Sequence, residues 1–401
     1  VDQKLGNFCA LVGPNASGKT TFLDVISFLG DLVRNRNDVA ETVLQRSSNF
    51  EKLLWMGQGK SFQMALEAEI PEHLKAQIVS KNQRFSHIRY EIEISSGDDG
   101  SLGLEHETLW LLQLCEQEPA ELPTLFQEKP EEPLLLKTYK NRKVIVKKNP
   151  NGNDNYYPEG KPSYKPSFKL GRRQSALANL PADTTSFPVS TWFRDTLCNG
   201  VQTFTLNSQL MRLPSPPGMG RRFNVDGSNL PWVISELRKS QDRFQDWLAH
   251  IRTALEDIKD IDTVERPEDH HRYLTIEYVN GARVPSWLAS DGTLRLLALT
   301  IPAYLPSLTG TYLIEEPENG IHPRAIETVL QSINSMYDSQ VIIATHSPIA
   351  VSMLKPKDIL CFAKNKYGAT EIISGDKHPS LLNWKYGEPD LGILFASGIL
   401  S

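Results

Sequence analysis

The chain has 401 residues, 40% of them hydrophobic and 23% charged, a balance ordinary for a globular protein that buries a real core. Its formal net charge of -5 exerts no global pull toward nucleic acid or anionic membrane, so any polyanion site must be a local patch. The four cysteines (Cys9, Cys115, Cys198, Cys361) include no CxxC pair, which argues against a disulfide framework or a structural zinc and fits a reducing, cytoplasmic setting.

In chain order, "NFCALVG" reads as an apolar strand that runs into a glycine loop and then into "TTFLDVISFL". There Phe22, Val25, Ile26 and Leu29 recur at helical spacing. "SFQMALEAEI" and "HIRYEIEIS" alternate apolar and polar residues, as half-exposed antiparallel strands do. A middle stretch rich in Pro, Asn and Lys follows, and its clearest element is one long helix over "PWVISELRKSQDRFQDWLAHIRTALEDI". Phe244, Leu248, Ile251, Leu255 and Ile258 form that helix's apolar stripe. "YLTIEYVNGARVPSW" predicts a hairpin around Asn280-Gly281. "TYLIEE" and "QVIIATHS" read as buried parallel strands joined by a crossover helix over "RAIETVLQSINSMY". "DILCFAKN" and "ATEIIS" finish the sheet.

The expected organisation is a single α/β domain split by an inserted lid or arm of helical or mixed α/β character. Its segments are residues 1–112, 113–270 and 271–401. No run approaches the roughly 18 to 20 apolar residues of a membrane helix, so no membrane partner is expected. The chain opens at Val1 instead of Met, and further residues are expected upstream.

Four stretches carry chemistry. Gly13, Pro14, Asn15, Ala16, Ser17, Gly18, Lys19 and Thr20 match G-x-x-x-x-G-K-[ST], with Thr21 next to them. Glycines let such a backbone curl its N–H groups onto phosphate oxygens, and the following helix turns its positive end to the same anion. Lys19 would reach the β- and γ-phosphates of ATP, and the Thr20 hydroxyl would ligate Mg²⁺. "TYLIEEPENGIHP" places Glu315 and Glu316 at a strand's C-terminal end, where doubly wound sheets hold ligands. Two adjacent carboxylates can divide the work, Glu315 in the Mg²⁺ shell and Glu316 deprotonating the attacking water. Alone, the pair could equally be a solvated strand end. His346, in "VIIATHSP", could hydrogen-bond the γ-phosphate, although a lone histidine is more often a packing residue. "LASDGTLRLLAL" reads as a capped helix with Leu294, Leu297 and Ala298 inward.

In this order the four stretches resemble the ATP-binding-cassette ATPases, specifically their soluble RecF-, SMC- and OLD-like branch, and stand-alone ATPases of bacterial anti-phage defence operons. The resemblance implies an ABC-type ATPase head with a parallel core sheet plus an antiparallel β subdomain. It also implies a homodimer of ATP-bound heads, open to higher oligomers. "SDGT" takes the place of the family's signature motif, so Ser290 and Gly292 would act in trans on ATP held by the second copy. "PENGIHP" takes the place of the D-loop. The departures are Asp291 and Thr293 in the signature, where Gly and Gln are common, and Glu315 where Asp is usual. Asp291 is therefore assigned to helix capping. Gln58 and Gln63 both lie in the zone of the Q-loop with neither preferred, and the family's adenine contacts fall upstream of Val1.

For the use of ATP, residues 137–173 hold eleven basic side chains against Asp154 and Glu159, net +9. Tyr139, Tyr156, Tyr157, Tyr164 and Phe168 are interleaved with them. Lys140, Arg142, Lys143, Lys147, Lys148, Arg172 and Arg173 are the candidate nucleic-acid contacts. The preceding residues 104–133 carry eight glutamates against Lys129, net -7, and could neutralise that stretch internally. OLD-like relatives continue into a nuclease domain after the histidine motif; here a nuclease or other effector is expected as a separate polypeptide. Three functions stay open: a DNA-associated ATPase gating an effector, a protein-sensing ATPase scaffold without direct DNA contact, and a metabolic P-loop kinase.

Overall fold

The computed structural model describes residues 2–34, 38–78, 85–97, 99–113, 134–136, 141–160, 164–220, 222–306, 308–382, 384 and 389–400. Two units emerge: Val1–Leu23 with Gln202–Ser401, and Asp24–Val201. This differs from the three expected segments. Phe204, Phe244, Trp247 and Leu248, placed by sequence in the insert, belong to the same core as Ile314 and Ile343.

In the first unit a six-stranded sheet runs in the order Thr370–Ser374, Ile359–Lys364, Phe8–Val12, Ser339–Ala344, Gly310–Glu315 and Val201–Phe204. The four strands from Ile359–Lys364 to Gly310–Glu315 are parallel, and Thr370–Ser374 is antiparallel to its neighbour. Parallel strands are covered on both faces, which explains their unbroken apolar runs. Leu11, Val12, Leu313, Ile342 and Ile343 are all fully buried. The crossover helix Pro323–Asn334 connects two neighbouring strands and buries Ala325, Ile326, Val329, Leu330 and Ile333 along one stripe. Each of the four larger side chains, Ile326, Val329, Leu330 and Ile333, contributes about 1.5 to 3 kcal/mol on full burial. Pro323 opens that helix, where a missing N–H costs nothing.

A second, antiparallel sheet orders Arg283–Pro285, Arg272–Tyr278 and Ile258–Glu265. Its hairpin turns at Asn280-Gly281 as expected, with Gly281 at φ 83° and the Tyr278 N–H donating to the Ala282 carbonyl. The single long helix gives way to two, Leu230–Leu237 and Gln241–Ala254. The break falls at Ser240, whose ψ of 90° is not helical, and Ile258 already begins a strand. Arg238 then reaches Asp260 and the Ile261 carbonyl.

The unit Asp24–Val201 is built on a six-stranded antiparallel sheet: Ser61–Glu69, His87–Ser96, Leu102–Leu112, Arg142–Lys147, Asp154–Tyr156 and Ser167–Phe168. Alternation in "HIRYEIEIS" places Ile88, Tyr90, Ile92 and Ile94 in its core with Phe28, Leu29, Phe187 and Phe193. Its buried charges are densely bonded. Glu107 accepts from the Tyr90 and Ser175 hydroxyls and from the amides of Ala176 and Leu177, at 2.6 to 2.9 Å. Phe187, at the N-cap of the helix Pro188–Asp195, has no acceptor to offer. Glu159 supplies one instead, accepting from the amides of Val189 and Ser190 at 2.7 Å. Burial pushes the Glu159 carboxyl up, against the pull of those bonds.

Among the described residues no helix is long and apolar enough to cross a membrane.

Candidate active site

The strand Phe8–Val12 delivers the chain directly into the loop Gly13–Thr20, and the helix Lys19–Arg34 starts within it. Loop shape depends on backbone angles closed to most side chains. Gly13 sits at φ 149° and Gly18 at φ 102°. A Cβ at Gly13 would collide with the Phe362 carbonyl, and one at Gly18 would lie 2.6 Å from Thr370 Oγ1. Thr370 in turn donates to the Ser17 carbonyl at 2.9 Å, pinning the loop to the edge strand Thr370–Ser374. Ala16 adopts φ 60°, a left-handed conformation that costs a non-glycine residue about 1 to 2 kcal/mol.

Lys19 is 5% exposed, and its ammonium lies inside the loop. It donates to the carbonyls of Gly13 and Pro14 at 2.8 and 2.9 Å. Burial lowers its pKa, while the nearby charges of Glu316 and Glu315 hold it up. Thr20 Oγ1 donates to Glu315 Oε2 at 2.9 Å, joining residues 295 apart in sequence. A hydroxyl beside a carboxylate is a hard-oxygen donor set, the kind that suits a small divalent cation.

Glu315 ends its strand exposed, and Glu316 follows exposed at φ 47°. This left-handed residue turns the chain out of the sheet while its N–H still donates to the Ala344 carbonyl at 2.8 Å. Backbone strain of this sort concentrates at functional positions. His346 stands partly exposed just beyond the adjacent strand Ser339–Ala344. Its own amide donates to Glu318 Oε1 at 3.0 Å. Glu318, Thr370 and Arg212 take part without having been singled out from sequence. Glu318 lay inside a quoted motif, whereas Thr370 and Arg212 carry no local signal.

Around the predicted signature, Ser290 caps the helix Asp291–Thr300, its Oγ accepting from the Thr293 amide at 3.1 Å. Asp291 is corrected: it does not cap but pairs with Arg212 at 2.7 Å, and Arg212 also donates to the Ala289 carbonyl. The charge is thereby neutralised beside the exposed Ser290. Gly292 permits close approach to the next loop, since a Cβ there would lie 2.8 Å from the Gly320 carbonyl. Among the described residues, no hydrogen bond joins Ser290 or Gly292 to the loop Gly13–Thr20 of the same chain.

The predicted nucleic-acid residues fare unevenly. Lys148 is withdrawn: its side chain is fully buried, 3.1 Å from the equally buried Asp154. Lys143 donates to the Glu159 carbonyl, Arg172 pairs with Glu105, and Arg173 pairs with Asp38. Tyr156 belongs to the core and donates to the Ala176 carbonyl. Lys147, Lys165 and Lys169 stay exposed, with Tyr164 and Phe168 beside the last two. Register places Lys147, Asn155 and Ser167 on one face of the sheet. Lys140, like Lys137, Tyr139 and Lys161, lies outside the described residues.

A family model described as "AAA domain, putative AbiEii toxin, Type IV TA system" matches residues 8–352. No curated protein matches the chain. Among solved structures, the SmcHead bound to the C-winged helix domain of ScpA is 14% identical, with a TM-score of 0.50 over 92% of this chain and 90% of that one. An Smc head with an extended coiled coil from Pyrococcus furiosus is 12% identical, with a TM-score of 0.47 over 94% and 93%. The first likeness speaks for the fold; the family match covers the phosphate loop, the carboxylate pair and the histidine. The chain belongs to that AAA-domain family and is an ATP-hydrolysing enzyme, with a fold like that of an Smc head.

Proposed function

We propose that two copies of this chain clamp ATP between them and that the clamped state gates a separate effector, with DNA as the ligand that stimulates turnover. Lys19 and the amides of the loop Gly13–Thr20 hold the phosphates. Thr20 and Glu315 would hold Mg²⁺, which when bound neutralises charge building on the phosphoryl oxygens. Among the described residues no three His, Cys, Asp or Glu side chains cluster, and that cation would draw the rest of its shell from substrate phosphates and water. Glu316 orients the attacking water and takes its proton, and His346 donates to the terminal phosphate.

The observation that carries the dimer is the placement of Ser290. It caps its helix on the surface, flanked by Trp287 and Leu288 at 47% and 70% exposure, with no bond to its own phosphate loop. A helix N-terminus presented this way offers a hydroxyl and backbone amides to an anion brought by another molecule. Mixing two inactive variants tests this. Lys19→Ala spoils only the loop, and Ser290→Glu spoils only the signature. In a mixed dimer one site of two regains both intact halves, so an equimolar mixture should recover about a quarter of wild-type turnover. Recovery of none would exclude a shared site.

The family's description names a toxin of a type IV toxin–antitoxin system, which supports a role in defence beside a partner subunit. The second reading, a protein-sensing ATPase without direct DNA contact, draws support from the internal pairing of Lys143, Lys148, Arg172 and Arg173.

A further inference from the structure

Glu318 lies three residues past Glu315 in the turn that follows the carboxylate pair. Its Oε1 accepts from Thr345 Oγ1 at 2.8 Å and from the His346 amide at 3.0 Å. The two strands beneath are already in register, with Glu315 opposite Ala344 and the Glu316 amide bonded to the Ala344 carbonyl. Backbone pairing stops there. Beyond that point, Glu318 continues the attachment with its side chain, at the level where one loop carries Glu316 and the other carries His346.

The same carboxylate has a second oxygen, Oε2, that is buried with no hydrogen-bond partner among the described residues. An unpaired buried oxygen is costly, and such groups call for a reason beyond packing. Here the cost accompanies a clamp between two loops that must present a base and a hydrogen-bond donor to one reacting phosphate. Thr345 reinforces the clamp: it is fully buried, its amide donates to the Leu11 carbonyl, and its Oγ1 also accepts from the Ser347 amide. The histidine loop is thus tied both to the strand leading into the phosphate loop and to Glu318.

We infer that Glu318 is a positioning residue for ATP hydrolysis, fixing His346 relative to Glu316 through the accepting oxygen of its side chain and not through its charge. This rests on the reading of His346 as the donor to the terminal phosphate. Misplacing such a group by a fraction of an ångström lowers the rate of the chemical step without loosening the phosphate loop that binds ATP.

The test compares Glu318→Ala with Glu318→Gln in the full chain, by amide hydrogen exchange and by ATPase kinetics. In Glu318→Ala, exchange at the His346 amide should quicken about tenfold while the strand Phe8–Val12 is unaffected. Its kcat should fall about 10- to 100-fold with ATP affinity within about threefold of wild type. Glu318→Gln keeps an accepting oxygen and should recover most of that loss. Adding His346→Ala to Glu318→Ala should cost little more, because the two act as one unit. Should Glu318→Ala not fold, Thr345→Val removes one of the two donors at constant volume and should shift both readouts in the same direction. Unchanged exchange at His346 overturns the clamp itself. Faster exchange with unchanged kcat overturns its link to hydrolysis, and a Gln variant as damaged as Ala overturns the neutral-acceptor role.

Discussion

Two groups of charged residues in this chain behave in opposite ways. In Asp24–Val201, Glu107 is buried and accepts four hydrogen bonds, and Lys148 and Asp154 are closed off together, while Lys147, Lys165 and Lys169 stay exposed. In the nucleotide-binding unit the residues of interest stand at strand ends and helix starts with few partners. Glu315 and Glu316 are exposed, Ser290 is exposed, and His346 is held by its backbone. A buried carboxylate such as Glu107, its acceptors filled from within, has little left to offer a ligand. Lys19 is the exception among the proposed site residues, buried and bonded to the carbonyls of its own loop.

Substitution can break or sharpen that contrast. The largest effect on stability should come from Glu107→Ala. It strands two buried amides and two hydroxyls and should cost about 3 to 5 kcal/mol, read as a lowered denaturant midpoint. If structural and chemical charges are separable, any protein that stays folded should bind ATP with unchanged affinity; a variant that folds normally but binds ATP poorly would erase the distinction. A smaller effect is expected from the basic face that remains open. Reversing Lys147, Lys165 and Lys169 to Glu should abolish stimulation of hydrolysis by duplex DNA. It should also flatten the salt dependence of DNA binding by about 2 to 3 units of slope, with basal turnover intact. Equal loss on reversing the paired Arg172 and Arg173 would show that internal pairing does not remove a residue from the DNA surface. Absence of stimulation by any nucleic acid in the wild type would favour the protein-sensing reading.

Much of the parallel sheet was readable because its strands are unbroken apolar runs ending in chemistry. "TYLIEE" and "QVIIATHS" needed only the rule that ligands gather at the C-terminal ends of parallel strands. The glycine loop announced itself through spacing, and the Asn280-Gly281 hairpin through turn chemistry. What escaped has physical reasons. Asp154–Tyr156 and Ser167–Phe168 are strands of three and two residues, too short to show a period, so a region that looked like a lid turned out to extend a sheet. The break at Ser240 interrupts a stripe that remains apolar on both sides. Arg212 reaches Asp291, and Thr370 reaches Ser17, across distances in sequence that no local pattern encodes. Net charge along residues 137–173 could not single out Lys148, since composition cannot reveal that it faces Asp154.

The claim that binds these observations is that each copy completes the other's ATP site. Its most direct test is the mass of Glu316→Gln in solution, measured with and without ATP. Removing the base that activates water leaves the triphosphate intact between subunits, so ATP should convert the variant from the mass of one chain to that of two, and ADP should not. A variant that binds ATP tightly yet keeps the same mass in every nucleotide state would contradict the account.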